Sequence, residues 1–184
     1  MRSECGISTR HYYNVIYNNR MEKRMMTERQ KSNEEMPVIT YTNHITVEDY
    51  NALRQAVNWI RVTEKRASIA LQHSFYLCVA VCGDRPVGMA RIVSDGGYTY
   101  FITDVIVHPD YQSYHIGTEL IGRVLAYIER DVVDGETVMV SLMAAYERES
   151  FYERFGFHTR PFGNHGPGMS MWVSRDVTGK VITA

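Results

Sequence analysis

The chain has 184 residues, the size of one ordinary domain, and its 45% hydrophobic and 22% charged residues exclude a disordered or fibrous polymer. Twenty Lys plus Arg against 21 Asp plus Glu give a formal net charge of -1, which argues against binding to nucleic acid or an anionic membrane by bulk charge. No apolar run approaches the roughly 20 residues that cross a bilayer. Met1 to Arg10 lacks the apolar stretch of a secretory signal. Cys5, Cys78 and Cys82 have no metal-ligand spacing and suit free thiols in a reducing, cytoplasmic setting.

Residues 1–35 carry seven basic and five acidic side chains, and Glu22 to Glu35 contains no Val, Ile, Leu or aromatic residue to offset the entropy of ordering. This stretch reads as a mobile tail or upstream extension, with Met36 or a nearby Met opening the working domain, 36–184. With 13 basic and 16 acidic residues, that domain carries a charge of -3.

From Pro37 the pattern becomes regular. Pro37 to Thr42 reads as a short strand. Thr46 with Asp49 three residues on supplies a helix N-cap, after which Val47, Tyr50, Leu53, Ala56 and Val57 recur at helical spacing. A second helical stretch covers about Ile60 to Leu71. Phe75 to Cys82 is an apolar strand ending at a Gly83-Asp84 turn, with Val87 to Val93 as its hairpin partner. After Asp95-Gly96-Gly97 comes a long strand, Tyr98 to His108, stopped by Pro109. Ile116, Leu120, Ile121, Val124, Leu125 and Ile128 mark one face of the next helix. Val138 to Ala144 is apolar enough for a strand buried on both faces. Arg148 to Phe155 is a short helix closed by Gly156. Phe157 to Pro161 and Met169 to Val173 read as two closing strands. The expected fold is α/β (α+β), with a mixed, mostly antiparallel central sheet flanked by helices.

Two segments carry chemistry. The first is the strand-to-helix junction Val105-Ile-Val-His-Pro-Asp-Tyr-Gln-Ser-Tyr-His-Ile-Gly-Thr118. A helix N-terminus offers unpaired N–H groups and the positive end of the helix dipole, and a glycine there admits a bulky anion such as phosphate. The second is Ser150-Phe-Tyr-Glu-Arg-Phe-Gly-Phe157. Phe151, Phe155 and Phe157 are explained as core aromatics. Tyr152 turns to one side of that stripe, where its phenol could protonate a leaving group in the thiol range.

Together, Gln112-Ser-Tyr-His-Ile-Gly-Thr118 after a Val-His-Pro strand end, the Phe-Tyr-Glu-Arg-Phe-Gly-Phe box and the element order resemble the GNAT family of N-acetyltransferases, over about Val38 to Val173. Gly166-Pro-Gly-Met-Ser-Met-Trp172 also looks like a branch that includes arylalkylamine and lysine acetyltransferases. The resemblance implies the acyl-CoA N-acyltransferase fold and acetyl-CoA as co-substrate. Backbone amides of Gln112, Ser113, Tyr114, His115, Ile116, Gly117 and Thr118 would hold the pyrophosphate. Backbone groups of Val105, Ile106 and Val107 would pair with pantetheine like an added strand. Tyr152 would protonate the departing thiolate. The acceptor would be a primary amine, on a small molecule or a protein lysine, attacking directly with no metal and no acyl-enzyme. His115 stands where the family most often has a glycine, and its Cβ hinders a positive φ, although His tolerates that region better than most residues. A non-catalytic acyl-CoA-binding domain with a degenerate loop at His115 is therefore the rival reading.

Alkylamines with a pKa near 10.4 are protonated at neutral pH, so attack needs a base. Asp104 falls between Ile102 and Ile106 on one strand face by simple alternation. A carboxylate buried there is a candidate to take the amine's proton, directly or through water, or to bind the ammonium. Arg91 reads as a partner for Asp104 or Asp95, or as pocket lining. Trp59, Tyr76 and Trp172 are candidates for an aromatic acceptor wall, and Glu147 and Glu149 for contacts to a cationic amine. Cys78 and Cys82 read as small buried hydrophobes, and His108 and His158 as structural strand-end residues. Sheet-edge pairing offers a route to a homodimer.

Overall fold

The structure, a computed structural model, describes residues 36–171, 173–175 and 181–183. The tail reading for 1–35 and the wall role suggested for Trp172 lie outside the described residues. The elements run β1 (Ile39–Thr42), α1 (Val47–Ala56), α2 (Glu64–Gln72), β2 (Tyr76–Cys82), β3 (Arg85–Val93), β4 (Thr99–Val107), a 3-10 turn (Pro109–Tyr111), α3 (Ile116–Asp131), β5 (Met139–Leu142), α4 (Glu149–Glu153), β6 (Val173–Arg175) and β7 (Val181–Thr183). The first five strands form one sheet in sequence order, with β2–β3 and β3–β4 antiparallel and β4–β5 parallel. β6 and β7 form a separate antiparallel pair. This is the mixed, mostly antiparallel sheet with helices that the sequence predicts.

Helix α1 starts where its cap says it should: Thr46 Oγ1 accepts the Asp49 N–H at 3.0 Å and donates to the Asp49 carboxylate at 2.8 Å. Tyr50 and Leu53 of α1, Ala67 of α2, and Val79, Met89 and Ile106 of the sheet share one core. The chain's other large helix, α3, buries Ile116, Leu120, Ile121, Val124 and Ile128, each contributing about 1.5–3 kcal/mol over leaving it exposed. Gly88 explains how closely α3 approaches. A Cβ there would stand 3.0 Å from the Ile106 carbonyl, 3.2 Å from Ile116 and 3.3 Å from Leu120. Gly88 thus faces α3 while its neighbour Met89 faces α1 and α2, so helices cover both faces of the sheet.

Three sequence expectations are corrected. β5 is half-buried at all four positions because it is the last strand of the sheet, with β4 on one side only. Phe157 to Pro161 forms no strand. Pro161 cannot donate to a ladder, the next turn holds Gly163 at φ +54°, and a single bridge between Phe162 and His165 is all that forms. The strand expected from Met169 is absent through Met171, directly after Gly166-Pro-Gly168, and begins only at Val173.

Candidate active site

The site originates in a defect of the sheet. β4 pairs with β5 only from Thr99 with Met139 to Ile102 with Leu142. β4 then continues to Val107 paired with β3 alone. Where the strands part, Asp104 takes a left-handed φ of +49°, and the β3–β4 register jumps from Arg91–Thr103 to Met89–Ile106. This is a β-bulge, which bends a strand and re-aims its side chains. The resulting cavity, about 170 Å³, is lined by Trp59, Thr103, Asp104, Val105, Leu142 and Tyr152 among others.

The bulge also reverses the strand's facing. Tyr100, before it, donates its hydroxyl to Asp131 of α3, and Ile102 shares that face two residues on. Ile106, after the bulge, joins the core under α1 and α2. Asp104 therefore does not lie between two isoleucines on one face. Simple alternation fails because an extra residue in one strand shifts the period-two pattern.

Asp104 is only 7% exposed and its carboxylate is fully engaged. Arg54 Nη1 of α1 donates to Oδ1 at 2.8 Å, Arg91 Nε of β3 to Oδ2 at 2.6 Å, and the Tyr50 hydroxyl of α1 to Oδ2 at 2.9 Å. A left-handed non-glycine residue costs on the order of 1–3 kcal/mol and persists only where its surroundings over-determine it. Here two cations and a phenol from two other elements do so. Burial, then the Asp104 charge, pushes the Tyr50 phenol up and keeps it a donor. Of the partners offered to Arg91 by the sequence, the structure selects Asp104.

Tyr152 of α4 stands across the cavity, 9% exposed, with its ring edge-on to Phe151 at 4.9 Å and to Phe157 at 6.3 Å. Among the described residues its hydroxyl has no hydrogen-bond partner. Burial pushes the phenol up, so it holds its proton throughout the neutral range.

At the far end of β4, His108 donates its N–H to the Val87 carbonyl of β3 at 2.8 Å. Strand alternation then turns the polar backbone groups of Val107 to the open edge. The Gln112 side chain reaches the Val107 carbonyl there at 3.1 Å, while the Gln112 N–H closes the 3-10 turn on the Pro109 carbonyl at 3.3 Å. That leaves the loop's anion-binding capacity to later residues. Ser113 and His115 hold φ +87° and +57°, and His115 caps α3 with no side-chain hydrogen bond. Glu119 is the first to bond back along the helix, to the His115 carbonyl at 3.1 Å, so the N–H groups of Ile116, Gly117 and Thr118 head α3 without intrahelical partners. His115 therefore keeps the left-handed shape that a glycine adopts without strain. A Cβ on Gly117 would meet the Phe151 ring at 3.4 Å and Val107 at 3.7 Å, ordinary contact distances, so the α3 N-terminus sits against both β4 and the helix carrying Tyr152.

The structure thus gathers Tyr152, Asp104, Val105 and Trp59 around one cavity and docks the start of α3 beside them. Glu147 and Glu149 are exposed, Cys78 is buried and Cys82 half-buried, and none of these four lines the cavity. His108 is engaged by Arg85 at 2.9 Å, and His158 stacks on Phe162 at 4.2 Å. Among the described residues no group of three or more His, Cys, Asp or Glu could hold a metal ion. Sequence reasoning missed Tyr50 and Arg54. Their i, i+4 spacing shows that they share a helix face, but nothing local points to a partner 50 residues on.

Residues 73–159 match the model of the acetyltransferase (GNAT) domain. The chain is 29% identical over 132 residues to an uncharacterized N-acetyltransferase, ycf52, of Porphyra purpurea, covering 70% of this chain and 74% of that one. A protein of unknown function from meticillin-resistant Staphylococcus aureus, named a probable acetyltransferase, superposes with TM-score 0.66 at 30% identity over 72% of this chain and 98% of that one. A GNAT-family acetyltransferase from Streptococcus pneumoniae superposes with TM-score 0.59 at 31% identity, over 77% of this chain and all of that one. With the splayed β4–β5 pair, the uncapped α3 and the facing tyrosine already in place, the chain belongs to the GNAT family of N-acetyltransferases.

Proposed function

We propose that this protein transfers the acetyl group of acetyl-CoA directly to a primary amine in a ternary complex. The single observation that carries this reading is the parting of β4 from β5 at Ile102 and Leu142, with the Tyr152 hydroxyl, unpaired among the described residues, beside the gap. An open strand edge pairs with an amide-bearing chain such as pantetheine, for which Val105 and Val107 are the candidates. The unpartnered amides at the head of α3, with the left-handed Ser113 and His115 before them, suit the pyrophosphate by charge and geometry.

The step balances without a covalent enzyme intermediate. Water takes the proton of the acceptor's ammonium, the neutral amine's lone pair attacks the thioester carbonyl, the C–N bond forms, and the C–S bond breaks. The phenol of Tyr152 gives its proton to the departing thiolate, and the proton shed by the amine returns through water to the phenolate. We assign Asp104 a positioning role rather than that of the base. Its charge already answers two nearly buried guanidinium groups, and protonating it would leave both uncompensated. The acceptor is a small amine or a protein lysine, and the setting a reducing, cytoplasmic one. The left-handed φ of His115 supports this reading over the binding-only one, since the residue preserves the loop conformation.

A thiol-release assay over alkylamines, arylalkylamines, amino acids, aminoglycosides and lysine peptides tests the reading. Turnover with acetyl-CoA and at least one amine is expected. Binding of acetyl-CoA with no acetylation across the panel would establish the binding-only alternative.

A further inference from the structure

We infer that Arg54 is the positioning residue of the acceptor side, a single guanidinium that ties the Trp59 wall to the bulge at Asp104. The inference rests on the reading of the cavity as the acceptor site. Arg54 Nη1 holds the Asp104 carboxylate at 2.8 Å and the Tyr50 hydroxyl at 3.3 Å. Its Nε donates to the Ile60 carbonyl at 3.0 Å, and its carbon Cζ stands 5.3 Å from the Trp59 ring centre, within cation–π range. The Arg54 carbonyl also accepts the Trp59 N–H at 2.8 Å, where Asn58 at φ +61° turns the chain back after α1.

These contacts have a geometric consequence. Trp59 and Asp104 both contact the guanidinium, and both line the cavity. The wall comes from the α1–α2 connection and the floor from β4, two segments that are not neighbours in the chain. Arg54 holds both, so the spacing between them is set by one planar group. Lysine keeps the charge but has a single compact donor head and cannot bond in these divergent directions at once. Arg91 is the natural comparison. It also pairs with Asp104 but donates its Nη1 to the Ala70 carbonyl of α2 at 3.4 Å.

The chain has two tryptophans, so the Trp172→Phe protein reports on Trp59 alone. In that background Arg54→Lys should raise the acrylamide quenching constant of Trp59 about twofold, while Arg91→Lys lowers the melting temperature comparably and leaves quenching unchanged. With the amine acetylated fastest in the thiol-release panel, Arg54→Lys should raise the acceptor KM about tenfold and keep the acetyl-CoA KM within about twofold. Arg54→Gln should follow the same order and serves if Arg54→Lys does not fold. Equal quenching in the Arg54 and Arg91 variants would overturn the inference, as would acceptor and acetyl-CoA KM values rising together. If the unaltered protein acetylates no amine, the functional reading fails, and the quenching comparison still decides the role of Arg54.

Discussion

The two sides of the cavity are built by different means. On the side assigned to the cofactor, the polar groups belong to the backbone: the open edge at Val107, the left-handed Ser113 and His115, and the head of α3. On the acceptor side they belong to side chains, and Tyr50, Arg54, Arg91 and Asp104 satisfy one another. The first arrangement leaves donors for a ligand. The second spends its polar groups on holding a shape. One side should therefore tolerate side-chain replacement wherever the backbone survives, whereas the other should fail when any member of its network is removed.

The largest effect that would sharpen this contrast is catalytic. Tyr152→Phe should lower kcat by about 10²–10⁴-fold at every pH while leaving acetyl-CoA affinity intact by calorimetry, because only the proton donor is lost. Unchanged turnover across the pH range would remove Tyr152 as the acid.

Asp104→Asn is the corresponding test of the network. It keeps the shape but strands two nearly buried guanidinium groups, with side-chain exposures of 14% and 12%. A loss of about 3–5 kcal/mol in urea unfolding is expected. A loss below 1 kcal/mol would break the distinction between the two sides.

Gly88→Ala probes the packing beneath the cofactor side. The new methyl meets Ile116 at 3.2 Å and Leu120 at 3.3 Å on α3, besides the Ile106 carbonyl of β4 at 3.0 Å, so the helix must give by a few tenths of an ångström, at a cost of about 1–3 kcal/mol in stability. Weaker acetyl-CoA binding should accompany it, measured by calorimetry, because the helix head moves with the helix.

His115→Gly should have the smallest effect and the opposite sign. Removing the Cβ from a left-handed position relieves about 1 kcal/mol of strain, so acetyl-CoA affinity should stay equal or improve slightly. A tenfold loss would show that the imidazole itself contributes.

The pH dependence of stability sets the last comparison. Burial raises both Tyr50 and Tyr152 above the ordinary value of 10, so folding favours their protonated forms. Their contribution is fully present below pH 10 and declines as pH rises through the folded values. Tyr50→Phe and Tyr152→Phe should each flatten the fall in melting temperature above pH 10.

How much was legible in the sequence follows the same division. The elements from Thr46 to Val107, the amphipathic face of α3 and the Gly156 helix stop were readable because capping, periodicity and turn chemistry act within a few residues. The loop from Gln112 to Thr118 and the tyrosine box were readable because contiguous segments encode backbone shape. The bulge was not. Nothing local marks Asp104 as left-handed, and one inserted residue there moved Ile102 and Ile106 to opposite faces. The strand expected at Phe157 to Pro161 failed because apolar content alone cannot overcome a proline and the glycine turn after it.

The sequence by itself therefore determined the family and the order of elements through α4, and it singled out the 112–118 loop and Tyr152 as the segments proposed for cofactor and acid. Only the tertiary structure decided that Asp104 is a clamped strut and that Arg54 faces both Trp59 and the bulge. The physical reason is separation along the chain. Arg54 and Asp104 are 50 residues apart, and a charge's partner is chosen by where folding brings it, which no local pattern records.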